Sequence, residues 1–116
     1  MNRIVTIQDI SCMGKCSLTV ALPLISAMGV ECSVIPTAVL STHTAFEGFT
    51  FRDLTDDIQK TADHWKQNQI HFDAILTGYL GAISEIDIVS GFINALGDKG
   101  ALTIMDPCMA DNGKLY

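Results

Sequence analysis

Carboxylates, hydroxyls and a tyrosine recur at one kind of place in this 116-residue chain, just past short apolar runs. Arg3-Ile-Val-Thr-Ile-Gln8 leads into Asp9, Glu31-Cys-Ser-Val-Ile-Pro36 into Thr37, Phe72-Asp-Ala-Ile-Leu-Thr77 into Gly78-Tyr79, and Ala101-Leu-Thr-Ile-Met105 into Asp106. Each run reads as a buried strand. In an open parallel sheet, ligands bind in the crevice outside the carboxyl ends of the strands. Asp, Thr, Gly-Tyr and Asp at four such ends read as the floor of one small-molecule site.

Some of these residues carry more specific chemistry. Gly78 and Gly81 on either side of Tyr79 let the backbone come close to a ligand and let the ring stack on it. Taken alone, the same pattern fits a tyrosine in a turn equally well. Asp106-Pro107 ends a strand, where a carboxylate is costly unless solvated or paired with a cation or a hydrogen-bond donor. Asp111, ahead of Asn112-Gly113, is a candidate second carboxylate of the same site and belongs to a turn. His43, flanked by Thr42 and Thr44, either binds substrate or caps a turn. His64 and His71 receive no function.

Two familiar motifs fail on spacing. Gly14-Lys15-Cys16-Ser17 resembles the end of a phosphate-binding P-loop, but Asp9 holds the place of the first glycine and Cys16 follows the lysine. A tight turn into a helix is the better reading. Cys12 and Cys16 have three residues between them, not the two of common zinc and thioredoxin patterns. These two, with Cys32 and Cys108, are read as reduced thiols in the core or in a cleft wall.

Strand-like runs alternate with helical patterns, which predicts βαβ units around a parallel sheet. The first helix lies within Lys15–Met28, with an apolar stripe of Leu18, Leu22 and Ile25 and a stop at Gly29. Pro23 inside it predicts a kink, or a helix that starts near Pro23. The second runs from about Asp53 to Asn68 with Leu54, Ile58, Ala62 and Trp65 on one face and Thr55 as cap. Ser84 and Asp87 form a variant capping box for the third, whose stripe is Ile86, Val89, Ile93 and Leu96 and whose stop is Gly97. Thr37 to Arg52 is the long irregular stretch. Its Phe46, Phe49 and Phe51 suit a small strand or a flap over a site.

Bulk properties narrow the class. The length suits one domain and one core, and the apolar fraction of 48% is ordinary for a globular chain. A net charge of −6 without clustered Lys or Arg argues against nucleic-acid binding. No segment approaches the ~20 apolar residues of a membrane span, and Gln8 and Asp9 interrupt any signal-peptide core. A cytoplasmic protein is the expectation. The last residues follow the fourth run with no helix to cover it, which predicts a thinly covered sheet and reads as the front part of a larger domain.

Four segments together resemble the pyridoxal/pyridoxamine kinases of the ribokinase-like superfamily. They are Thr6-Ile-Gln-Asp-Ile-Ser-Cys-Met-Gly14, Leu40-Ser-Thr-His-Thr44, Leu76-Thr-Gly-Tyr-Leu-Gly81 and Asp106-Pro-Cys-Met-Ala-Asp-Asn-Gly113, in family order and spacing. The resemblance implies an α/β fold, a three-layer α/β/α sandwich on a mostly parallel sheet. It implies transfer of the ATP γ-phosphoryl group to the 5′-hydroxymethyl of a vitamin B6 vitamer, with Mg²⁺ and a monovalent cation such as K⁺, in a homodimer. It also assigns residues. Asp9 falls where the family contacts the pyridine ring, Thr44 lines that pocket, Cys16 is a wall position and Tyr79 lies beside the ring. Asp106 and Asp111 match the acidic pair near the ATP phosphates and metal ions.

The sequence also departs from the family. Ala110 replaces a common glycine and Cys108 a common valine. The Gly-x-Gly-Asp segment that carries the catalytic base and anion hole does not occur in residues 1–116. The expectation is therefore the N-terminal part of a single kinase domain, holding the B6 side of the site and inactive or nearly so by itself. The alternatives are a hydroxymethylpyrimidine kinase of thiamine synthesis, a non-catalytic binding or assembly module, and a metal-thiol protein.

Overall fold

In the computed structural model, which describes residues 2–116, the Val- and Ile-rich runs are strands and the segments of helical period are helices. The elements are β1 (Arg3–Met13), α1 (Leu18–Ala27), β2 (Glu31–Thr42), β3 (Phe51–Asp53), α2 (Thr55–Gln67), β4 (Phe72–Thr77), α3 (Ile83–Leu96), β5 (Gly97–Met105), β6 (Ala110–Asp111) and β7 (Lys114–Leu115). The main sheet has the order β3-β2-β1-β4-β5. β1 pairs in parallel with β2 and β4, and β4 with β5, whereas β3 runs antiparallel to β2. β6 and β7 form a hairpin on Asn112-Gly113, both at positive φ (48° and 76°). That is the conformation a two-residue hairpin turn requires.

This order dictates the layers. The connection from β1 to β2 steps one way along the sheet, and those from β2 to β4 and from β4 to β5 step the other way. Crossovers between parallel strands are right-handed, so α1 covers one face and α2 and α3 cover the other. The core lies under α2 and α3. Val5, Ile7, Ile35 and Ile75 of the sheet meet Ile58, Val89, Phe92 and Leu96 of the helices. Phe72 and Phe92 stack there with centroids 5.9 Å apart. On the α1 face, Leu18 and Ile25 are buried. That face stays thin over β4 and β5, as expected. Leu102 and Ile104, in register with Ala74 and Leu76, are 59% and 50% exposed.

Several expected boundaries move. β1 and β2 run on past Gln8 and Pro36 to Met13 and Thr42. β1 pairs with β4 only over Ile4–Ile7, so beyond Ile7 its strand partner is β2 alone, whose Ala38–Leu40 pair in turn with β3. The segment Thr37-Ala-Val-Leu-Ser-Thr42 is largely β-branched or apolar and continues the ladder. The irregular stretch shrinks to residues 43–50, and Phe51 begins the small strand that pairs with β2. α1 starts at Leu18 and passes through Pro23, with Leu22 partly exposed.

Two helix caps also differ. Thr55 opens α2 but does not cap it; Asp53 accepts the Thr55 N–H at 3.1 Å and its hydroxyl at 2.8 Å. Ser84 and Asp87 form no capping box. α3 starts at Ile83, and its buried stripe is Glu85, Val89, Phe92 and Leu96, with Ile86 54% exposed. Val89 and Leu96 stand as expected, whereas Glu85 and Phe92 take the places of Ile86 and Ile93, so a carboxylate occupies the first position of the stripe.

Candidate functional site

Adjacent strands whose crossovers leave toward opposite faces open a crevice between their carboxyl ends. Here those strands are β1, which leads to α1, and β4, which leads to α3. A cleft of about 950 Å³ lies there. Asp9, Cys16, Thr44, Tyr79, Asp106 and Asp111 all line it, although they come from six separate points of the chain. Gln8, Lys15, Ser17, His43, Phe49, Phe51 and Tyr116 line it as well. A smaller hollow of about 220 Å³ between α2 and α3 holds no comparable set of groups.

Asp9 sits inside β1 rather than after it, at a bulge. The register jumps from Gln8↔Pro36 to Ile10↔Val39, so Thr37 and Ala38 both face Asp9. Bulges re-aim side chains next to binding sites. Asp9 is 7% exposed, and its Oδ1 accepts the Ser17 hydroxyl at 2.7 Å. Ser17 precedes α1 with φ 51° and ψ −128°, a conformation costly for a residue with a side chain. Asp9 is thereby held against the start of α1.

Tyr79 follows β4 directly. Its carbonyl accepts the Thr37 hydroxyl at 3.0 Å, and the Gly78 N–H bonds the Ile7 carbonyl at 2.9 Å. A side chain at Gly78 would put its Cβ 2.8 Å from Gln8 Oε1 and 2.9 Å from Gln8 Cβ. The glycine is what lets the turn close onto β1. Burial, aided by the charges of Asp9, Glu85, Cys108 and Asp53, pushes the Tyr79 phenol above its ordinary value. It therefore remains a neutral hydrogen-bond donor across the neutral range. The Tyr116 ring meets that of Tyr79 edge-on, with centroids 5.9 Å apart.

Asp106 ends β5, with its N–H on the Thr77 carbonyl at 2.9 Å, and Asp111 lies on the β6–β7 hairpin. Both are exposed, as the desolvation argument requires of strand-end carboxylates. His43 makes a turn contact and also lines the cleft. Its Nδ1 accepts the Ala45 N–H at 3.3 Å in a turn, and its ring lines the cleft. All four cysteines are free thiols. Among the described residues no group of three or more His, Cys, Asp or Glu could hold a metal ion, and no helix is long and apolar enough to cross a membrane.

Sequence reasoning missed three residues that shape this site. Ser17 escaped because a positive φ leaves no mark in composition. Gln8 was counted only as the last residue of a strand. Glu85 was passed over because an acid in a polar stretch looks like solvated surface. Its one signal was spacing, since Glu85, Val89, Phe92 and Leu96 follow the helical period.

No protein-family profile matches the sequence. A provisionally named phosphomethylpyrimidine kinase from Bacteroides thetaiotaomicron, in a crystal form with pyridoxal, is 47% identical over 99% of this chain and 40% of its own, with a TM-score of 0.94. Pyridoxal kinase from Lactobacillus plantarum is 32% identical over 100% of this chain and 41% of its own, with a TM-score of 0.91. A Saccharomyces cerevisiae protein provisionally named a pyridoxal kinase is 30% identical over 76% of this chain and 29% of its own length. Pyridoxal kinase of Arabidopsis thaliana is 27% identical over 99% of this chain and 38% of its own. Three of these four relatives are named pyridoxal kinases, one of them provisionally. The chain's fold is theirs, the ribokinase-like α/β arrangement, and a Leishmania donovani pyridoxal kinase crystallised with ADP and pyridoxine matches that fold at a TM-score of 0.92. The chain spans well under half the length of the curated relatives it matches, 38% of the Arabidopsis protein.

Proposed function

We propose that this chain carries the vitamin B6 side of an ATP-dependent pyridoxal/pyridoxamine kinase. That enzyme would move the γ-phosphoryl group of ATP to the 5′-hydroxymethyl of pyridoxal, pyridoxamine or pyridoxine and so salvage pyridoxal 5′-phosphate. One observation carries the reading: Asp9, Tyr79 and Asp106 converge on a single cleft at the switch point of the sheet. Similarity to a protein crystallised with pyridoxal supports it.

In this reading the Tyr79 ring stacks on the pyridine. Asp9, held by Ser17, accepts a hydrogen bond from a protonated pyridine nitrogen or from the 3-hydroxyl. Thr44 and Cys16 line the pocket wall, and the segment from Thr44 to Phe51 shields it from water. Asp106 and Asp111 face the phosphate end. Two exposed carboxylates fit Mg²⁺, which takes one or two carboxylates and keeps several waters, and a monovalent cation such as K⁺ is a second candidate there. A bound ion would supply neutralisation of triphosphate charge.

Residues 1–116 are then the N-terminal part of one kinase domain, with the Gly-x-Gly-Asp base and the adenine site outside them. The family resemblance further implies a cytoplasmic homodimer. Because general base assistance contributes ~10²–10⁴-fold, residues 1–116 alone should turn over pyridoxal at less than about a hundredth of the rate of full-length relatives. Turnover near that rate would refute this division of labour.

A second reading has a specific observation behind it. The neighbour at 47% identity is named for pyrimidine phosphorylation, so hydroxymethylpyrimidine is the competing substrate. Calorimetry of the purified chain with pyridoxal, pyridoxamine and hydroxymethylpyrimidine, without ATP, separates the two. Tighter binding of the B6 vitamers is expected. Preference for the pyrimidine would reverse the assignment, and absence of binding by all three would favour a non-catalytic module.

A further inference from the structure

Glu85 is completely buried, on a stripe otherwise made of Val89, Phe92 and Leu96. An apolar side chain there would extend the core, but it would take from the Gly81 N–H its part-buried carboxyl acceptor, and removing one partner of a hydrogen bond costs free energy. Glu85 Oε2 accepts that N–H at 2.7 Å, and Oε1 lies 2.8 Å from the Thr55 hydroxyl. The carboxyl group therefore ties the turn after β4 to the starts of both α2 and α3.

The turn matters because of what rests on it. A Cβ at Gly81 would stand 3.5 Å from Cε1 of the Tyr79 ring, so the ring lies directly against Gly81. The sheet fixes the front of the turn through Gly78 and Thr37. Glu85 fixes the back, where the ring packs. We infer that Glu85 is a positioning residue for the Tyr79 ring, acting through the Gly81 backbone. This rests on the reading of Tyr79 as the ring that stacks on the vitamer.

The geometry also specifies the partners of Glu85. The Thr55 hydroxyl lies 2.8 Å from Asp53 Oδ1 as well as 2.8 Å from Glu85 Oε1. One hydroxyl proton serves only one of two acceptors. Thr55 is the donor in both contacts, so its proton alternates between Asp53 and Glu85. Burial pushes the Glu85 carboxyl above its ordinary value, and Asp53 adds to this, against the hydrogen bonds from Thr55 and Gly81. Glu85→Gln is then the conservative variant, with its amide oxygen on Gly81 and its NH₂ on Thr55. Glu85→Met fills the same space on an apolar face and loses both contacts.

The test has a ligand-free arm and a pyridoxal arm. Backbone amide exchange at Gly81 should quicken about tenfold in Glu85→Met, the worth of about one hydrogen bond, and stay unchanged in Glu85→Gln, with Ile75 in β4 unaffected in both. Pyridoxal affinity by calorimetry should fall about tenfold in Glu85→Met, recover in Glu85→Gln, and show no further loss when Glu85→Met is added to Tyr79→Ala. Val89→Ala, on the same stripe, should lower stability and leave affinity alone. Unchanged Gly81 exchange, or full additivity with Tyr79→Ala, overturns the inference about Glu85. Pyridoxal binding indifferent to Tyr79→Ala overturns the vitamin reading of the ring instead, and with it the ligand arm.

Discussion

Asp9, Tyr79 and Asp106 are legible as a group because each follows an apolar run, and the runs of a parallel sheet end on one side; Cys16 and Thr44 join them only through the family resemblance, and Asp111 through its nearness to Asp106. What stayed hidden at this scale was conformation. Nothing in the letters Cys16-Ser17-Leu18 announces φ 51° at Ser17, and nothing in Ser84-Glu85-Ile86 says which residue faces inward. Gly78 illustrates the physical cost of such hidden constraints. Gly78→Ala must displace Gln8 and should destabilise the chain by about 1–3 kcal/mol, measured by urea unfolding. Glu85 gives a pH dependence of definite sign. Its carboxyl lies above its ordinary value of 4.5 in the folded chain. Below that value both folded and unfolded chains hold the proton, and the contribution is fully present. As the pH rises through the folded value, the unfolded chain releases the proton first and the contribution is lost. Unfolding free energy should therefore fall more steeply with pH in the native chain than in Glu85→Gln, from pH 4.5 upward. Parallel profiles would contradict a Glu85 carboxyl raised by burial.

The number and type of the principal elements follow from period, since apolar runs and helical stripes obey different spacings. Their ends do not, because ends are decided by partners distant in sequence. β2 continues to Thr42 because β1 continues beside it to Met13. The cap of α2 shows the same dependence. Thr55 has the right chemistry, but Asp53 reaches the free N–H of Thr55 first. Asp53→Ala should cost about 1 kcal/mol, and Thr55→Ala should cost the link to Glu85 as well. Phe92→Ala, which empties the aromatic stack between α3 and the sheet, should cost about 3–5 kcal/mol. A cost below 1 kcal/mol there would mean that α3 packs elsewhere.

At the scale of the whole molecule, the protein exposes 7345 Å², where a compact chain of its mass exposes about 6200 Å². Part of the excess is Leu102 and Ile104 on the α1 face of β5, beside a free strand edge. Such edges and apolar faces promote association, so the isolated chain should self-associate as its concentration rises. The pair Leu102→Lys and Ile104→Lys should reduce this in light scattering without moving the unfolding midpoint by much. The same topology that leaves this face open also makes the cleft, because β1 and β4 send their crossovers to opposite faces. The measurement that bears most directly on that cleft is a pyridoxal titration of the isotopically labelled chain by NMR. Saturable shifts should cluster at Asp9, Thr44, Gly78, Tyr79 and Asp106, with Asp63 and Lys66 in the α2–α3 hollow still. Shifts confined to that hollow, or none at millimolar pyridoxal, would contradict a vitamin site between β1 and β4.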